Sequence, residues 1–294
     1  MTDPRVRFER RPDIERPAFV VAIRGWNDGG EAASLAAGYL KDQWGATRIA
    51  TLDPEDFIDF QVSRPTVRLE DGVTRVIDWP ACEFQWAAPG GRHVVFFTSV
   101  EPNMRWKTFS SAVIDVATEL GADMLVTLGA FLTNVPHSRP VPLVGSARTA
   151  DEARSLGLSP SQYEGPTGIV GVLHDAAVRA GLPSASVWAA VPHYLPATSN
   201  PKAALAMVER MTAILGTEVD TESLERATSE WEEGVARLVE ESDELRDYVR
   251  QLEEAVDEGQ TELQTGDLPS GDSIAAELER YLRDRELPGD EHPA

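Results

Sequence analysis

Apolar residues along the first two thirds of this chain come in short runs that alternate with helically spaced stripes. Pro17-Ala-Phe-Val-Val-Ala-Ile-Arg24 is a compact apolar run stopped by Gly25, the pattern of a buried strand. After the loop Gly25-Trp-Asn-Asp-Gly-Gly30, Ala33, Ala36, Ala37 and Leu40 recur at helical spacing and predict a helix over 31–44. Thr47 to Leu52 predicts a second strand, and residues 67–77 a hairpin turning on Asp71-Gly72. Phe84 to Ala87 and His93 to Ser99 predict two more strands around Pro89-Gly-Gly91.

Beyond Ser99 the chain alternates between strand and helix. A helix from about Arg105 to Leu120 carries Phe109, Val113, Val116 and Leu120 on one face. Strands are predicted over 123–128, near Leu143 and over 186–191, with a helix at 168–180 between the last two. Asn200-Pro201 supplies an N-cap and a first-turn proline for a helix with Leu205, Val208, Met211 and Leu215 inward, and Gly216 ends it. These βα units with an inserted hairpin predict an α/β fold, a three-layer α/β/α domain around a mixed sheet.

The pattern changes after Gly216. Leu224, Trp231, Leu238, Leu245 and Leu252 lie seven apart, and the companion positions 221, 228, 235, 242, 249 and 256 are only half apolar. That predicts an acidic α-helical C-terminal extension, a coiled-coil-like helix of about 35 residues that must pair with another helix or pack on the body. Gly259 to Gly271 reads as a linker, and Ile274, Leu278, Tyr281 and Leu282 as a short second amphipathic helix. Charge follows the same boundary. The whole chain of 294 residues carries a formal −22, of which residues 218–294 hold −18 and residues 1–217 only −4. Two parts are expected: a globular domain over 1–217 and the acidic helical extension over 218–294.

The acidic balance argues against nucleic acid as partner, because phosphate binding needs a basic surface. No apolar run approaches the roughly 20 residues of a membrane span. The first ten residues lack a signal-peptide core and Cys82 is the single cysteine, so a cytoplasmic protein with no membrane partner is expected. Cys82 reads as a small buried apolar residue.

Candidate chemistry collects in the Gly25 loop and three turn-rich blocks, Gly129–Arg139, Tyr163–His174 and Val191–Pro196. The Gly25 loop fits neither the dinucleotide fingerprint nor a phosphate loop. His137, His174 and His193 lack metal-ligand spacing, so neither a metal nor a cofactor is expected. No Gly-x-Ser-x-Gly elbow is present, and catalytic residues stay unassigned. Arg24, Arg105, Arg139 and Arg148 either form an anion-binding rim or pair with nearby carboxylates. The residues expected to line a ligand or partner rim are Trp26, Asp28, Glu101, Arg105, His137, Arg139, Tyr163, His193 and Tyr194.

The same blocks carry a family resemblance. Gly25-Trp26 with Asp28, Glu101-Pro102 with Trp106, Val135-Pro136-His137 with Arg139-Pro140, Tyr163-Glu-Gly-Pro-Thr-Gly168 and Pro192-His193-Tyr194 together resemble the proteasome assembly chaperone 2 family, in its bacterial, actinobacterial-type branch. The resemblance implies a phosphorylase/hydrolase-like α/β/α domain that self-associates, with a trimer as the expected assembly. Eukaryotic and archaeal relatives help proteasome subunits assemble, so proteasome subunits are the implied partners. Relatives that dock on proteasomes end in a hydrophobic-Tyr-any tail, from which Glu291-His-Pro-Ala294 departs. A self-associating scaffold or assembly chaperone is the first expectation. The alternative is a small-molecule hydrolase or phosphorylase with a nucleoside-like or anionic ligand at the loop rim.

Overall fold

The computed structural model describes residues 3–195 and 199–259. In chain order the strands are β1 (Val6–Phe8), β2 (Ala18–Arg24), β3 (Thr47–Leu52), β4 (Thr66–Glu70), β5 (Thr74–Asp78), β6 (Cys82–Ala87), β7 (Val94–Val100), β8 (Met124–Thr133), β9 (Leu143–Ser146), β10 (Ser159–Pro160) and β11 (Ser184–Pro192). The helices are α1 (Ala32–Gln43), α2 (Trp106–Glu119), α3 (Ala150–Ser155), α4 (Ile169–Arg179), α5 (Pro201–Leu215), α6 (Glu222–Glu240) and α7 (Asp243–Asp257).

Nine strands form one mixed sheet in the order β1-β3-β6-β7-β2-β8-β11-β9-β10. Its middle, β7-β2-β8-β11, is parallel, and β6 and β9 join that block antiparallel. Alternation along β2 sets the layers. Ala18, Val20 and Ala22 face α1 and α5, whereas Phe19, Val21 and Ile23 face α2 and α4. The first face is lined by small residues, Ala32, Ala33, Ala36 and Ala37 of α1, which let the helix lie close to the strands. The second holds the rings of Phe19, Phe84, Phe97 and Phe109, all fully buried. Burying one such ring is worth about 1.5–3 kcal/mol. Cys82 sits in this second layer with Sγ 3.1 Å from Ser99 Oγ, and burial pushes its thiol up to about 11.

The three-layer expectation holds, and three details differ from the sequence reading. β8 runs on to Thr133, through Gly129 and Ala130, because it pairs in register with β11 as far as Pro192. The single long helix is two. It breaks at Glu241, and Ser242 caps α7 by accepting a hydrogen bond from the Leu245 N–H at 3.3 Å. Leu238, still within α6, faces outward, while Trp231, Val235, Leu245, Val249 and Leu252 face inward or stay partly covered. The pair packs on the body through Tyr194 and Leu195, with α6 against α5. The strand β1 and the short α3 and β10 had no signal in the apolar pattern. The predicted linker and second amphipathic helix lie outside the described residues.

The hairpin β4–β5 forms as expected on Asp71 and Gly72, which take φ of 52° and 74°. It stands apart as its own two-stranded sheet. No described helix is long and apolar enough to cross a membrane.

Candidate functional site

β2 ends at Arg24, and the loop that follows is held by one carboxylate. Glu101, just after β7, accepts the Trp26 N–H on Oε2 at 3.1 Å and the Asn27 side-chain amide on Oε1 at 2.8 Å. The N–H of Ile169, at the start of α4, lies 3.4 Å from the same Oε1. Gly25 makes this approach possible. Its φ is 149°, and a Cβ there would lie 2.7 Å from the Glu101 Cβ. On the far side, the Asn27 carbonyl accepts the Ala130 N–H at 2.7 Å, which ties the loop to β8.

Asp28 closes the loop. It is 6% exposed, and its Oδ1 accepts the N–H groups of Ala33 and Ser34 at 2.8 and 3.2 Å, capping the first turn of α1. Its Oδ2 is buried, with no hydrogen-bond partner among the described residues. Burial raises the carboxyl above its usual value, and the hydrogen bonds oppose that.

Asp28 borders a cavity of about 680 Å³ near the carboxyl ends of the parallel strands, where ligands bind in open α/β sheets. The Gly25–Glu31 loop, Ala130 to Leu132 of β8, Val144 and Ser146 of β9, Ser186 and Trp188 of β11, and the Tyr163–Gly171 segment line it. Trp26 and Tyr163 are 55% and 45% exposed at its border. Tyr163 is held by its hydroxyl, which donates to the Pro166 carbonyl at 2.8 Å. Trp188 packs flat against Gly129, where a Cβ would meet its ring at 2.5 Å, and its indole N–H donates to Ser186 Oγ at 2.7 Å. His174 also borders the cavity, with Nε2 3.5 Å from Ser146 Oγ, and burial lowers its pKa.

The nine predicted rim residues separate into distinct places. Trp26, Asp28 and Tyr163 border the cavity, with Glu101 behind the loop that carries the first two. Arg105 points elsewhere and pairs with Asp56 at 3.1 Å. His137, Arg139, His193 and Tyr194 are gathered beneath α6 and α7. Tyr194 Oη lies 2.8 Å from both the backbone N and Nδ1 of His137, and the His193 ring stands edge-on to Tyr194 and Tyr248. Arg139 grips Asp257 with Nε and a terminal nitrogen at 2.9 and 2.7 Å. Lys202 donates to the His137 carbonyl at 2.7 Å and pairs with Glu232 at 2.6 Å. The arginines therefore do not assemble an anion rim. Arg139 serves the extension, and Arg148 lies beside Glu152. Among the described residues, no cluster of His, Cys, Asp and Glu could hold a metal.

Sequence reasoning missed Ser146, Ser186 and Trp188 as cavity residues, and took in Phe131 only as part of the Gly129–Arg139 block. The available signal was Trp188, an aromatic in a run of small residues, but its neighbour Gly129 is set by strand pairing and not by spacing.

The His137 cluster makes a pH prediction. Burial, and then the charge of Lys202, lower the His137 pKa below its ordinary 6.5; Glu253 and Glu232 oppose this. Burial pushes Tyr194 up to about 12, so its hydroxyl keeps its proton and can donate to Nδ1 only while that nitrogen is unprotonated. The folded state thus binds fewer protons than the unfolded chain as pH falls through 6.5, and stability is lost in that direction. His174 contributes with the same sign. The thermal midpoint is expected to drop between about pH 7.5 and about pH 5.5, and to drop less in a His137→Gln chain.

Residues 22–239 match the PAC2 family model. The chain belongs to the PAC2 family. A PAC2 family protein from Streptomyces avermitilis is 42% identical, covering 79% of this chain and 99% of its own, with a TM-score of 0.73. A proteasome-assembly chaperone homologue from Mycobacterium tuberculosis is 44% identical over the same shares, with a TM-score of 0.72. An archaeal proteasome activator from Pyrococcus furiosus, 19% identical, shares the fold over 79% of this chain and 97% of its own, with a TM-score of 0.64. No curated protein matches this chain. The PAC2 match ends within α6, so it spans the Gly25 loop, the cavity and the ends of β8 and β11, and stops short of α7.

Proposed function

We propose that this PAC2 protein is a cytoplasmic, self-associating scaffold of the assembly-chaperone kind, acting by surface contact and not by turnover. The observation that carries this reading is the face of β4–β5 that stays exposed among the described residues. Register places Val67 opposite Ile77 and Leu69 opposite Arg75, so three exposed apolar side chains share one face of the hairpin. Thr66, Arg68, Glu70, Thr74, Asp78 and the half-buried Val76 take the other face, where Arg68 pairs with Asp78 at 2.9 Å. A two-stranded hairpin is marginal in water, and a contiguous apolar face on one marks a contact surface. A second copy of the chain is the occupant we assign, in keeping with a trimer.

The Mycobacterium tuberculosis relative is described as a proteasome-assembly chaperone homologue, which supports proteasome subunits as the client class. The outward carboxylates of α6 and α7 would then select a basic client surface. A hydrolase reading draws less support. The Ser146–His174 separation of 3.5 Å is long for a nucleophile and its base, and among the described residues no carboxylate hydrogen-bonds to the ring to orient it. Light-scattering mass of the full chain across micromolar concentrations tests the proposal. A mass of several chains, and co-elution with unassembled proteasome subunits, is expected; a single-chain mass at every concentration overturns it.

A further inference from the structure

The cavity beside the Gly25 loop has a composition that selects its ligand, independently of the assembly role. Asp28 and Glu31 both border it, and among its described lining residues there is no lysine or arginine. An anion entering would meet two carboxylates with no cation to offset them. The remaining walls are largely apolar, with Trp26, Tyr163 and Trp188 supplying ring faces and edges. Asp28 is the deciding group. It is more than nine-tenths buried, and its Oδ1 is committed to the α1 cap, but its Oδ2 has no hydrogen-bond partner among the described residues. A buried acceptor left open is costly, and a charged donor compensates it best.

We propose that this cavity binds a small organic ammonium: a flat apolar body between Trp26, Tyr163 and Trp188, with its charge set against the Asp28 carboxylate. Aromatic faces attract such a cation, and the protein carboxylate neutralises it away from water. The volume of about 680 Å³ accommodates a compact ring system with a short aminoalkyl arm. Lowering of the His174 pKa by burial favours its neutral form, so it adds no competing positive charge. This differs from the nucleoside-like or anionic ligand that the loop sequence suggested, because the arginines expected to hold an anion lie elsewhere.

Isothermal titration of the full chain with tryptamine, and with indole-3-propionate as its anionic counterpart, tests the assignment. Tryptamine is expected to bind one per chain and at least about tenfold tighter than the anion. Asp28→Asn keeps an oxygen for the Ala33 and Ser34 caps and removes the charge, and it should abolish that preference. Trp26 is exposed, so Trp26→Ala should fold normally and weaken tryptamine. The peptide Trp-Gly-Gly presents the same ammonium at a chain start. Tryptamine binding alone assigns a free amine, and binding of both assigns the shared ammonium chemistry to either source. Equal or tighter binding of indole-3-propionate, no saturable tryptamine binding, or tryptamine binding untouched by both variants would each overturn the proposal.

Discussion

A chain carrying Val67→Lys, Leu69→Lys and Ile77→Lys is expected to run as a monomer at concentrations where the parent chain is an oligomer. All three side chains are exposed on one face of a hairpin that contributes to neither core layer. Their replacement therefore removes little intrachain burial, and the thermal midpoint should hold, as for other surface substitutions. At an interface of identical copies each change is repeated in every subunit. Three truncated anchors facing desolvated charge amount to about 4 kcal/mol, roughly a thousandfold in dissociation constant. The same substitutions on the opposite face, at Thr66 and Thr74, should leave the mass unchanged. Light scattering and an unfolding scan on the two sets separate assembly from stability, and an unaltered oligomer in the first set removes the hairpin from the interface.

Glu101→Ala is expected to be the most damaging single change near the cavity. One carboxylate receives the Trp26 N–H and the Asn27 amide, with the Ile169 N–H in reach, joining the Gly25 loop to the start of α4. Hydrogen bonds to a charged acceptor are worth about 1.5–3 kcal/mol each, and water restores part of what is lost, so a net cost of about 2–4 kcal/mol is expected. Glu101→Gln should rescue only in part. An amide has one acceptor oxygen and one donor nitrogen, so whichever way it turns, an N–H is left facing an N–H. Denaturant unfolding of the three chains measures the series. Equal stability of Glu101→Gln and the parent would show that a single accepting oxygen suffices.

Much of the fold was legible because burial on both sheet faces writes β2, β7 and β11 as short apolar runs, and the helix caps at Asn200 and Gly216 are local signals. What failed depended on partners distant in sequence. Gly129 reads as a turn residue, yet it sits in mid-strand because the Trp188 ring occupies the space of its missing side chain. The sevenfold spacing through Leu238 is real, but the cap at Ser242 outweighs it, and two short helices cover the body better than one long rod. Trp26, Asp28 and Tyr163 come together at one cavity because their loops follow or precede core elements. In the sequence, His137, His193 and Tyr194 group with them because their turn-rich blocks also follow apolar runs. Their surroundings are aromatic and carboxylate side chains of α6 and α7: Trp231 and Glu253, about a hundred residues away, for His137, and Tyr248 for His193 and Tyr194.

The two margins of the large sheet decide what kind of assembly is open to this protein. One is the three-residue β1 and the other the two-residue β10, which finishes in Pro160. Neither offers a ladder long enough for another chain to continue, and a proline has no N–H to give. Copies that meet through a hairpin face instead of a strand edge can close into a ring of fixed number, and growth without limit, the hazard of every open sheet, is barred at both ends.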